Sequence, residues 1–115
     1  MSTENNSKNL YENAIKILSD LISFRTVSGE NNEKLIDYCE NILKALGASS
    51  FRTFDDEKKR FNLFSTLKAK KVNGKKPIIL SGHTDVVPVS KSWSTGSDGK
   101  SRFLKSYRCR LRKWD

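Results

Sequence analysis

His83 is the single histidine of the 115-residue chain, and Asp85 stands two positions after it. A neutral imidazole is a common zinc ligand, and a metal-bound histidine donates its second ring N–H to a carboxylate or carbonyl that fixes tautomer and angle. In extended backbone, residues two apart share a side, so Asp85 is placed to be that carboxylate. Ser81-Gly82 before the pair lets main chain approach a ligand closely, and Pro88 stiffens the exit. A lone histidine is also, and more often, a surface or hydrogen-bonded structural residue, so the triplet His83-Thr84-Asp85 alone leaves both readings open.

The elements that must position this pair follow from periodicity. Residues 77–82 end in Ser-Gly and include the consecutive apolar residues Ile78, Ile79 and Leu80, the pattern of a central strand covered on both faces. A strand there would deliver His83 to the end of a sheet, where open α/β sheets keep their sites. Upstream, Leu10, Ala14, Ile17, Leu18, Leu21 and Ile22 recur at spacings that predict an amphipathic helix over 9–23. A loop follows at 24–29, where β-branched residues meet a Ser-Gly pair. Leu35, Ile36, Cys39, Ile42, Leu43 and Leu46 predict a second helix over 31–46, with Gly47 as its stop and Lys44 at the negative end of its dipole. Strands over 49–54 and 61–67 flank the charged turn 55–60. A lysine-rich loop, 68–76, contains the turn dipeptide Asn73-Gly74 and reads as solvated, because no aromatic residues interleave its five lysines. The expected fold class is therefore α/β, two helices then three strands. The two helices would cover one face of the third strand, and the other face has too few apolar residues assigned to it, so the domain is expected to be incomplete and loosely packed.

Bulk properties narrow the classes. The chain suits one domain or part of one. Apolar residues make up 36% and charged residues 30% of it, its apolar runs are far too short to span a bilayer, and the N-terminus has no basic or apolar leader pattern. A cytoplasmic location is expected. Cys39, on the apolar face of the second helix, reads as reduced and buried; a disulfide with Cys109 would need an oxidising compartment. The net charge of +9 is uneven: residues 1–90 carry 14 Lys+Arg against 11 Asp+Glu, and residues 91–115 carry 8 against 2. The main body is nearly balanced, so its charge does not argue for nucleic acid as a partner.

The octet Ser81-Gly82-His83-Thr84-Asp85-Val86-Val87-Pro88 behind an apolar run is far more specific than the triplet. It resembles the signature of the zinc-dependent acetylornithine deacetylase, succinyl-diaminopimelate desuccinylase and aminoacylase family of metallohydrolases, and is most like that of the acetylornithine deacetylases. The resemblance spans about residues 10–95 and includes Phe24-Arg25-Thr26-Val27-Ser28, residues 61–67 and Trp93-Ser94-Thr95. It implies the N-terminal part of a zinc-hydrolase catalytic domain, with His83 a ligand of one metal of a two-zinc site. Asp85 enters the catalytic set as the carboxylate that orients this histidine. The implied reaction is hydrolysis of an N-acyl amino acid amide in arginine biosynthesis, with a separate glutamate as general base, by an enzyme that is a homodimer through a further domain with no counterpart here.

The pattern departs from the family after Thr95. Asp98-Gly99-Lys100 echoes an expected turn but comes too early, no Gly-Arg-Gly follows, and the bridging aspartate, the glutamate base and the remaining ligands have no matching positions. The expectation is a catalytic portion over 1–95, inactive alone, and a non-homologous basic tail over 96–115 read out of frame. A related desuccinylase or dipeptidase fits the same octet. A different class of function, a basic module binding nucleic acid or anionic lipid, would use Phe103, Tyr107, Leu111 and Trp114 among the arginines and lysines of the tail.

Overall fold

The computed structural model describes residues 2–71 and 73–88, with side chains from Asn5 onward. Residues 89–115, which include Trp93-Ser94-Thr95, the expected division at 95, Cys109 and the basic tail, lie outside the described residues. Two units are present, one holding the first helix and ending at Arg25, the other formed by Thr26–Pro88.

In the first unit, α1 runs over Ser2–Ser23, beginning seven residues before the helix expected over 9–23. No glycine or proline interrupts residues 2–8, and once a helix exists each added residue gains a hydrogen bond, so the polar segment extends it. Lys16 Nζ pairs with Asp20 Oδ2 at 2.6 Å across one turn, a spacing that brings side chains together on a helix. Ser23 Oγ donates to Asp20 O at 2.6 Å and closes the last turn. Leu10, at the start of the apolar stripe, remains 71% exposed.

The second unit is an α/β arrangement in which α2, Glu33–Ala45, packs on a two-stranded antiparallel sheet of β1, Ser49–Phe54, and β2, Phe61–Thr66. The helix starts two residues later than its periodicity suggests, with Asn32 as its N-cap. Asn31 Oδ1 accepts the Glu33 N–H at 2.8 Å, and Asn32 supplies the first helical carbonyl to Leu35 and Ile36. At the other end Gly47 takes φ +85°, its N–H reaching Lys44 O at 2.9 Å while Ala48 N–H reaches Leu43 O at 3.0 Å. That pair of bonds is a Schellman stop, and it satisfies carbonyls the helix leaves open.

The strands pair Ser49 with Thr66 through Phe54 with Phe61. Ser50, Arg52, Leu63 and Ser65 are half-buried, alternating with exposed Phe51 and Phe64, whose rings stack at 5.1 Å. Arg52 ties the sheet to the helix: Nε donates to Glu40 Oε2 at 2.8 Å, and Nη2 donates to Asp37 Oδ1 at 2.8 Å and to Glu40 Oε2. The core is small, and Thr26, Val27, Leu35 and Ile36 are its buried residues among those described.

The expected third strand does not form. Residues 77–82 are in no sheet, and Ile78, Ile79 and Leu80 are 87%, 80% and 92% exposed. A strand needs a neighbour's backbone groups, β1 and β2 pair with each other and with no third strand among the described residues, and α2 packs on that hairpin. The chain pairs only further on, through a parallel bridge between Val27 and Val86.

Candidate functional site

The bridge is what gives His83 and Asp85 a fixed setting. Ser28 N–H donates to Val86 O at 2.9 Å, Val86 N–H donates to Thr26 O at 2.9 Å, and Thr26 Oγ1 donates to Thr84 O at 2.7 Å. These three bonds clamp residues 84–86 to the stretch 26–28, whose Thr26 and Val27 are buried. A loop and a segment 58 positions further along the chain become one two-stranded clip.

Within the clip, His83 Nδ1 lies 3.0 Å from Asp85 Oδ1 and 3.1 Å from Asp85 O. Both partners are acceptors, so in the neutral ring Nδ1 carries the proton and donates it. The Nε2 lone pair then remains without a hydrogen-bond partner among the described residues, on a side chain that is 85% exposed. The other carboxylate oxygen, Oδ2, accepts from Ser28 Oγ at 2.6 Å. The Ser28 hydroxyl first, and His83 second, hold the Asp85 carboxyl below its ordinary range, so it is an anion at neutral pH.

The pair borders a cleft of about 710 Å³ whose other walls include Ile36 and Cys39 of α2, Phe61 and Leu63 of β2, and the turn residue Arg60. Cys39 is half-buried, and desolvation raises its thiol above the ordinary value, which keeps it protonated and a poor nucleophile. Arg60 is committed to Asp55, Nε to Oδ2 at 2.5 Å.

The sequence-predicted pair is thus brought together in space, in an extended segment held by one bridge and not at the end of a central strand. Ser28 and Thr26, which in the sequence mark a loop and belong to the stretch 24–28 that carries the resemblance, have no role at the site on sequence grounds. Their partners lie 57 and 58 positions away, beyond the reach of any local pattern.

The chemistry of the donor set fits one ligand position. An imidazole with Nδ1 bound to a carboxylate and Nε2 open is the arrangement zinc-binding histidines show. Among the described residues, no three side chains of His, Cys, Asp and Glu come together as a metal-binding group. None of the described helices is long and apolar enough to cross a membrane. No family model, curated protein or solved structure matches this chain.

Proposed function

We propose that Thr26–Pro88 is a metal-ligating element of a zinc-dependent amidohydrolase acting on N-acyl amino acids, of the kind the octet 81–88 resembles. The observation that supports it above all is the 3.0 Å contact from His83 Nδ1 to Asp85 Oδ1, which leaves Nε2 as an available donor beside a cleft large enough for a small substrate. In this reading His83 holds one metal through Nε2, and Asp85 fixes the ring's tautomer and increases its basicity. The cleft walls from α2 and β2 would receive the acyl-amino acid. Zinc, when bound, supplies Lewis-acid polarisation of the acyl carbonyl and a lowered pKa for the attacking water.

A catalytic zinc takes three protein ligands and an open position. The described residues offer one, so the 115-residue chain is proposed to bind zinc weakly and to turn nothing over. The substrate, an N-acetyl amino acid such as N-acetylornithine, rests on the resemblance alone.

Zinc titration of the full chain tests this reading through the ring signals of its single histidine. Saturable shifts of the His83 ring resonances are expected, with an affinity about 10- to 100-fold weaker in Asp85→Asn, which lacks the orienting carboxylate. Shifts of equal affinity in the Asp85→Asn chain would remove the orienting role of Asp85, and no saturable shift in the native chain would remove the site. Hydrolysis of N-acetylornithine by the zinc-loaded chain would overturn the claim that its site is incomplete.

A further inference from the structure

We infer that Ser28 is a positioning residue for His83, acting through Asp85: its hydroxyl fixes the carboxylate in the rotamer that selects the Nδ1–H tautomer of the imidazole. The inference rests on the metal-ligand reading of His83 and adds a residue from a distant part of the chain.

A carboxylate two residues after a histidine in exposed backbone has no reason to hold one orientation. Its χ1 and χ2 are free, water competes for both oxygens, and here the side chain is 59% exposed. A single contact to another exposed side chain would not hold it, since exposed pairs contribute little. The clip changes this by engaging both oxygens at once. Oδ2 takes the Ser28 hydroxyl at 2.6 Å and Oδ1 takes the ring at 3.0 Å, so the carboxylate bridges an anchored serine and the ring and cannot rotate without losing one of the two bonds.

Ser28 is itself fixed. Its N–H is bonded to Val86 O, the residue before it is bridged to Val86, and Thr26 and Val27 are buried. The serine therefore hangs from a buried stretch of backbone and reaches an exposed carboxylate. A serine donor suits the task, because a hydroxyl turns its single proton to the carboxylate without bringing a charge that would compete with a cation at Nε2. Unbound imidazole tautomers interconvert freely in water, and only the Nδ1–H form offers Nε2 as a donor atom. Holding the carboxylate adds to the Asp85 carbonyl, 3.1 Å from Nδ1, in favouring that tautomer before any ligand arrives.

The test uses the full chain labelled with ¹⁵N, without metal, at a pH where the imidazole is neutral. His83 is the single histidine, so both ring nitrogens are assigned without ambiguity. The native chain is expected to show predominantly the Nδ1–H form. Ser28→Ala should move the ring toward the Nε2–H-rich mixture of a free imidazole, and Ser28→Thr, which keeps the hydroxyl, should retain the native ratio. Zinc affinity read on the same signals should fall about tenfold in Ser28→Ala, the lower end of the effect of such outer partners. An unchanged tautomer ratio in Ser28→Ala, or loss of the native ratio in Ser28→Thr, overturns the role of Ser28. If the native chain shows the tautomer effect and its ring ignores zinc, the positioning stands and the metal reading fails, so the two results separate.

Discussion

Asn32 and Phe61 exchange two hydrogen bonds: Asn32 Nδ2 donates to Phe61 O at 2.9 Å, and Phe61 N–H donates to Asn32 Oδ1 at 2.8 Å. The side-chain amide thereby occupies the edge of β2 as a neighbouring strand's peptide would, while Asn32 N–H reaches Lys59 O at 3.2 Å. This one residue joins the N-terminus of α2 to the start of β2, and both line the cleft.

Replacing Asn32 by alanine leaves a half-buried N–H and C=O of Phe61 without their partners. An unsatisfied group of this kind costs about 1–3 kcal/mol. Asn32→Ala should lower the urea midpoint accordingly and speed hydrogen exchange at the Phe61 amide. Asn32→Asp, which keeps the acceptor and loses the donor, should protect that amide while still losing stability. An unaltered midpoint in Asn32→Ala would show that the exchange of bonds is not formed in solution.

Asp55 governs the turn between the strands. Its Oδ1 accepts the N–H of Lys59 at 2.9 Å and of Arg60 at 3.1 Å, and those bonds, with the Arg60 guanidinium, lower its carboxyl from 3.8 to about 2. The folded state thus binds this proton less readily than the unfolded chain does. The contribution of Asp55 to stability is complete above the unfolded value and is lost as pH falls from about 4 through about 2. Asp55→Asn should be less stable than the native chain at neutral pH, and the gap should close by pH 2. A gap independent of pH would contradict the assigned bonds.

Gly47 and Gly74 both sit in the left-handed region, at φ +85° and +75°, and neither has a neighbour that an added Cβ would strike. The difference lies in what the backbone holds. At Gly47 the left-handed turn carries the two bonds that end α2, so a side chain must either accept a strain of about 1–2 kcal/mol or break the stop. Gly74 lies in the exposed lysine-rich loop, which is free to relax. Gly47→Val should lower the melting temperature, and Gly74→Val should change it much less; equal losses would remove the Schellman assignment.

What was legible before the structure were features whose cause is local. The 3.6-residue spacing of Leu35, Ile36, Cys39, Ile42 and Leu43 marks α2, Gly47 marks its end, and the charged turn 55–60 separates β1 from β2 within a residue. His83 and Asp85 are visible as a pair because two positions of extended chain bring them together. The Asn32–Phe61 exchange and the Ser28–Asp85 bond span 29 and 57 positions, and nothing in the residue types alone says that they meet. The third strand misled for a related reason: consecutive Ile78, Ile79 and Leu80 report a preference for burial, and burial also requires a neighbour.

That run provides the sharpest test of the described fold. If residues 77–82 were a central strand, replacing Ile79 by alanine would open a cavity at a cost of about 2–5 kcal/mol. With Ile78, Ile79 and Leu80 at 87%, 80% and 92% exposure, little is removed from water to lose, and surface changes of this kind shift stability by less than about 0.5 kcal/mol. The effect should appear elsewhere. An exposed, extended apolar segment with unpaired backbone groups invites pairing between chains, so the native chain should self-associate as its concentration rises. The triple change Ile78→Ser, Ile79→Ser and Leu80→Ser should leave the urea midpoint in place and abolish concentration-dependent scattering and sedimentation. A large loss of stability in the triple variant would restore the buried strand; unchanged self-association would move its cause to another face of the molecule, such as the stacked Phe51 and Phe64.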